Sequence, residues 1–158
     1  MTYEELLIQT TDRGLDVVER PFRSDRIKGL YVDGTIAINA RMTATEKLCT
    51  LLEEVGHHDT AAGDILDQSL AENRKQERHG RAEAYRQAVP LTALIRACKH
   101  GCRTLYDTAD YLGVTEAFLL DALAYYRERY GCRVRLGRYL IDFDPVCIRF
   151  LRKEKPAC

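Results

Sequence analysis

The hydrophobic positions between residues 46 and 58 repeat with the period of an α-helix. They fall at i, i+3, i+4 and i+7, namely Leu48, Leu51, Leu52 and Val55. This spacing predicts a helix that buries one apolar stripe and turns its polar face away from the core. Just before it, Thr43-Ala-Thr-Glu46 matches the S/T-x-x-E capping box, which marks a helix start.

Apolar and polar residues alternate instead in IKGLYVDGTIAIN. Two β-prone stretches flank Asp33-Gly34, a pair that favours a type I′ turn, so the segment predicts a β-hairpin. The preceding VVERPF favours an edge strand because of its proline. Helical patterns cover residues 2–14, 70–88 and 91–100, a helix–turn–helix pattern covers 105–130, and the tail CRVRLGRYLIDFDPVCIRF predicts a short strand pair.

This order of elements indicates an α+β fold. We expect an N-terminal helix, a small antiparallel sheet or hairpin, a helix with a polar face, and then a mostly helical part that ends in the strand pair. The predicted division is a core over 1–90, a helical segment packed on it over 91–131, and a basic strand or tail over 132–158.

Composition excludes several classes of protein. The 158 residues are 46% hydrophobic and 30% charged, which suits one domain with a buried core. Twenty-four basic residues balance 24 acidic ones, so no overall field attracts nucleic acid or membrane. No apolar run approaches the roughly 18 residues of a membrane span, and the N-terminus lacks a signal-peptide pattern. We therefore expect a cytoplasmic protein with six free cysteines.

Glu53, Glu54 and His57 cluster on the polar face of the predicted helix, at about 100° per residue. Glu53 and His57 are four residues apart and can reach one point, with Glu54 beside them. Zinc hydrolases use this spacing because two ligands one turn apart hold the metal while the intervening carboxylate deprotonates water. The familiar motif is H-E-x-x-H, whereas this chain has Glu at the first position. A solvated helix face is the alternative interpretation of these residues.

The sequence resembles the ImmA/IrrE type of metallo-endopeptidase, which usually carries H-E-L-G-H where this chain has E-E-V-G-H. A downstream signature is also similar, with an acid at Glu77, then Ala84-Tyr85 and an apolar step to Pro90. The resemblance covers about residues 1–130, and phage or mobile-element members are the most similar. It implies a metallopeptidase-like core over 1–90.

The resemblance implies a role for each matching residue. Glu53, His57 and Glu77 would bind the metal, and Glu54 would be the general base. Carboxylates can bind zinc, and one imidazole with two carboxylates would also accept manganese. His58, His79 and Tyr85 are candidate substrate or supporting residues. The alternative is a surface position for the two histidines and helix packing for the tyrosine.

The resemblance also implies a substrate, a helix-turn-helix repressor of a phage or mobile element, whose cleavage would relieve repression. The alternative is a non-catalytic protein that binds such a repressor. The chain's own helix-turn-helix pattern would favour DNA binding, but residues 105–130 carry five acids and two arginines. Since phosphate contacts supply much of the affinity for DNA, we do not expect nucleic acid as a partner, and we interpret the unit as a packing module.

Overall fold

The computed structural model describes residues 1–61, 70–144 and 146–151, with side chains except at 61 and 70–77. The helices are α1 (Tyr3–Asp12), α2 (Ala44–Ala61), α3 (Leu70–Ala88), α4 (Leu91–His100), α5 (Leu105–Leu112) and α6 (Glu116–Tyr130). The strands are β1 (Asp16–Arg20), β2 (Gly29–Val32), β3 (Thr35–Asn39), β4 (Arg133–Leu136), β5 (Tyr139–Phe143) and β6 (Val146–Phe150). The α+β class and the order of elements are confirmed.

The predicted hairpin forms the first sheet with β1. Asp33 and Gly34 have φ values of 47° and 84°, as the type I′ turn requires. β1 joins the far side of β3 in parallel, which gives the strand order β1-β3-β2. The sheet is therefore mixed: the predicted antiparallel hairpin is present, and β1 adds a parallel strand to it. β1 lies beside β3, the second strand of the hairpin, and runs in the same direction as β3.

α2 begins at the predicted capping box and packs on this sheet. The Thr43 hydroxyl accepts a hydrogen bond from the Glu46 amide, and the Glu46 carboxylate accepts one from the Thr43 amide at 2.9 Å. Ile36 and Ile38 of β3 are fully buried, as is Leu51 of the α2 apolar stripe. The hydrophobic stripe therefore faces the core, as predicted.

α2 also crosses α3 at close range, and two glycines make this possible. A Cβ on Gly56 would overlap the carbonyl oxygen of Gly80 and lie 2.9 Å from its carbonyl carbon. Because real Cβ atoms do not approach other atoms under about 3 Å, the two backbones touch only where both residues lack side chains. The crossing brings α3 against the polar face of α2.

The helix–turn–helix pattern folds as predicted, with a turn at Gly113 and a Thr115 cap on α6. α6 packs against α3 through Phe118, whose ring meets that of Tyr85 edge-on at 5.1 Å between centroids. The Tyr126 hydroxyl donates to the carbonyl oxygen of Val89 at 2.9 Å, both groups being buried. α6 thus buries one face inside the molecule.

The C-terminal sheet has three antiparallel strands in the order β4-β5-β6, where the sequence predicted a pair. The central strand places Ile141 and Phe143 in the core. Buried side chains from both sheets and from the helices between them form one hydrophobic cluster. The division at residues 90 and 131 stays a prediction.

Candidate active site

The polar face of α2 points its two adjacent carboxylates in different directions. Glu53 lies within electrostatic range of Arg81 on α3 and Asp121 on α6. Burial has the largest effect on the pKa of Glu53 and raises it, as does the charge of Asp121. The charges of Arg81 and Lys28 act to lower this pKa. Glu53 is therefore part of a charged cluster to which three helices contribute.

Glu54 points to the other side, toward β2. A Cβ built on Gly29 would lie 2.8 Å from Glu54 Oε1, so the carboxylate rests directly against the strand backbone. Burial and then the neighbouring charge of Glu53 raise the pKa of Glu54. A carboxylate with a raised pKa is better suited to accept a proton near neutral pH than an ordinary surface glutamate.

His57 lies between α2 and α3. Its Nε2 atom is buried, and a Cβ on Gly80 would lie 2.6 Å from the imidazole Cδ2. Glu53 and His57, one turn apart, thus share the side of α2 that faces α3, as the spacing predicted. Glu77 belongs to α3 one turn before Gly80, but its side chain lies outside the described residues.

A family model for Peptidase M78, the IrrE N-terminal-like domain, matches residues 10–124. The chain belongs to this family. The resemblance inferred from the sequence is confirmed, and the family supports assignment as a hydrolase of the metallopeptidase class. No curated protein matches the chain.

M78 peptidases are generally metal-dependent, and two described donors suit such an ion. Glu53 supplies an oxygen and His57 a buried imidazole nitrogen from one rigid helix. Among the described side chains, no three His, Cys, Asp or Glu residues are grouped to hold a metal. The donors present therefore fit two positions of a metal centre, and the third depends on Glu77, which stays a prediction.

The other candidate residues of this M78 chain lie in three separate surroundings. His58 is half-buried, with its ring edge-on to Tyr31 of β2 at 5.3 Å and its Nδ1 atom 3.3 Å from Asp59. His79 is exposed on α3. Tyr85 is buried, and burial followed by the charge of Asp121 raises its pKa to about 12. Only His58 adjoins the space between α2 and β2.

A groove of about 890 Å³ runs between α3 and α6. Its walls include His79, Arg81 and Tyr85 from α3, and Asp121 and Tyr125 from α6. The groove passes beside the charged cluster around Glu53.

Among the described residues, no helix is long and apolar enough to cross a bilayer.

Gly29, Arg81 and Asp121 also shape the site and are absent from the residues predicted for it. Asp121 counted only as an acid that disfavours DNA binding, and Arg81 carried no signal of its own. Gly29 had one, because a glycine inside a strand often marks the close approach of another group.

Proposed function

We propose that this chain is a metal-dependent endopeptidase that acts in the cytoplasm on a helix-turn-helix repressor of a phage or mobile element, with Glu54 as general base. The observation that carries the proposal is the position of the Glu54 carboxylate, half-buried between α2 and the backbone of an edge strand. A peptide on that edge would lie beside a proton acceptor with a raised pKa.

Among the described residues, no strand pairs with β2 on the side away from β3, so this edge suits an extended peptide. Asn39 donates to the Lys28 carbonyl at 2.9 Å, and hydrogen-bonded pairs alternate along an antiparallel ladder. Residues 28, 30 and 32 therefore face β3, while the N–H and C=O groups of Gly29 and Tyr31 point outward. A guest strand paired with these groups would bring a peptide bond alongside Glu54.

A metal bound by Glu53, His57 and Glu77 would supply Lewis-acid chemistry, polarising the peptide carbonyl and the attacking water. Glu54 would accept the proton of that water and donate it to the leaving amine. With one imidazole and two carboxylates, the site would accept zinc or manganese. Since more ligand charge neutralises the ion, we expect weaker activation than with two histidines.

The repressor substrate rests on the resemblance to ImmA/IrrE-type peptidases, and family membership supports the peptidase class. His58 would contact the guest strand, because its ring is edge-on to that of Tyr31, a residue of the strand that the guest would join. His79 and Tyr85 line the groove between α3 and α6, where a longer substrate would extend.

A second candidate function is repressor binding without cleavage. The observation that favours it is the positive charge of Arg81 close to Glu53, where the first metal ligand would stand. A guanidinium in that position partly neutralises the carboxylate and weakens its attraction for a metal ion.

The test is to load the purified chain with zinc or manganese and incubate it with the repressor encoded beside its gene. Cleavage should be abolished in Glu54→Gln and retained in Glu116→Gln, which changes an exposed glutamate on α6. Metal content, measured by mass spectrometry, should be equal in both variants and fall in His57→Ala. Binding without cleavage in the metal-loaded wild type would favour the second candidate.

A further inference from the structure

Gly29 stands where α2 and β2 are closest. A Cβ at this position would lie 2.7 Å from Thr50 Cγ2, 2.8 Å from Glu54 Oε1 and 3.0 Å from Glu54 Cγ. Real Cβ atoms essentially never come closer than 3.0 Å to such neighbours. Any other residue at position 29 must therefore displace the Glu54 side chain, the Thr50 side chain, or both.

The backbone conformation does not explain this glycine. The described glycines with positive φ are Gly14, Gly34, Gly101, Gly113, Gly131 and Gly137, and each has open space where its Cβ would be. Gly29 is outside that group and is the first residue of β2. A glycine in a strand sacrifices side-chain packing and costs conformational entropy, so its advantage here is the space it leaves.

We infer that Gly29 is a positioning residue for Glu54: its missing side chain creates a slot that holds the carboxylate against the face of β2 that is turned toward α2. The role of Glu54 as a base rests on the proposed function, whereas the slot is a property of the packing alone.

The slot has defined walls. Thr50, Glu54 and His58 lie at successive turns of α2, and they face Gly29 and Tyr31, which are two residues apart on β2. Four residues of an α-helix span about 6 Å, and two residues of a strand span about 6.6 Å. Residues four apart on α2 therefore have nearly the same spacing as residues two apart on β2. Thr50 closes one end, and the contact of His58 with Tyr31 closes the other. A methyl group at position 29 would fill the space between them.

A stability cycle tests the slot in the full-length, metal-free chain. Gly29→Ala should lower the melting temperature by on the order of 5 °C, because it overpacks the contact. The loss should be equal in a Glu54→Gln background, which keeps the shape of the side chain. It should be smaller in a Glu54→Ala background, where the Thr50 contact at 2.7 Å remains.

If Gly29→Ala alone does not fold, recovery of folding in the Gly29→Ala/Glu54→Ala double variant supports the slot equally well. An equal loss of stability in the wild-type and Glu54→Ala backgrounds would overturn the inference.

A spectroscopic measurement separates positioning from general destabilisation. In protein labelled with ¹³C at the glutamate carboxyl groups, the Glu54 resonance is the one that disappears in Glu54→Gln. It should move in Gly29→Ala and stay in place in Leu30→Ala, which changes an exposed neighbour on the opposite face of β2. An unmoved resonance in Gly29→Ala would also overturn the inference.

The two proposals fail in different ways. If both tests succeed but no repressor is cleaved, Gly29 remains the positioning residue of Glu54 and the peptidase function is rejected. If the repressor is cleaved but the effect of Gly29→Ala does not depend on Glu54, the function is retained and the slot is rejected.

Discussion

Gly56 of α2 and Gly80 of α3 meet backbone to backbone, and the contact also fixes the surroundings of His57. A Cβ on Gly80 would lie 2.8 Å from the amide nitrogen of His57 and 2.6 Å from its imidazole Cδ2. These two glycines therefore set the distance between α2, which carries Glu53 and His57, and α3, which carries the predicted third ligand.

Replacing Gly80 with alanine should separate these helices. We expect overpacking against the α2 backbone to cost up to about 3 kcal/mol in the free energy of unfolding. The roughly 1 kcal/mol that alanine gains in helix propensity offsets only part of this cost, so the net change is a loss. Urea denaturation measures the difference. Ala117→Gly, at an exposed position of α6, gives the size of the propensity effect alone. A Gly80→Ala variant as stable as the wild type would contradict the tight crossing.

Glu54→Gln should stabilise the metal-free protein at neutral pH. Burial and the charge of Glu53 raise the pKa of Glu54 above its ordinary 4.5, so the folded state favours the protonated carboxyl. Its contribution to stability is complete below 4.5 and is lost as pH rises through the folded pKa.

The stability gap between Glu54→Gln and the wild type should therefore be largest near pH 7 and close in acid. Thermal melts in the presence of a chelator, from about pH 4 to pH 7, measure this gap. Glu116→Gln serves as the exposed control and should show no comparable change. A gap that widened toward acid would disagree with a raised pKa.

Tyr31→Pro should weaken repressor binding and leave the hairpin formed. The Tyr31 N–H points to the free edge, so proline removes a donor available to a guest strand and spares the ladder with β3. We expect affinity to fall on the order of tenfold, as for the loss of about one hydrogen bond. Titration calorimetry in a Glu54→Gln background measures binding without cleavage.

The matched control for this substitution is Leu30→Pro. It removes a donor to β3 and should destabilise the sheet itself. Unchanged affinity in folded Tyr31→Pro would rule out strand addition at β2.

Tyr126→Phe should destabilise the protein by about 1–3 kcal/mol, because it leaves the buried Val89 carbonyl without its donor. The position is sensitive because Val89 precedes Pro90 at the end of α3, where helix carbonyls lack partners in the next turn. Chemical denaturation measures the loss. Tyr106→Phe, with 65% of Tyr106 exposed, should change stability little. Equal effects of both substitutions would contradict the bond.

The sequence predicted those elements that depend on local signals. α3 and α4 have the predicted bounds because Pro90 separates two helical patterns. The parallel pairing of β1 with β3 and the third strand of the C-terminal sheet were missed. Both depend on partners distant along the chain, which residue periodicity does not encode.

The candidate site divides in the same way. The i, i+4 spacing predicted that Glu53 and His57 share one face of α2, and adjacency predicted Glu54 beside them. The charge partners of Glu53 come from α3 and α6, and the slot for Glu54 comes from β2. These contacts depend on how whole elements pack. The glycine in β2 is a signal of close approach, but the sequence does not indicate which group approaches it.

Asp121 gives the second half of the chain an influence on the chemistry of the first. It belongs to α6, yet its charge acts on Glu53, and the family match extends to residue 124 to include it. A protein shortened after α3 would lose this acid and the tyrosine bound to Val89 together. A truncated chain therefore has to extend to the end of α6 if Glu53 is to keep the pKa that it has in the intact protein.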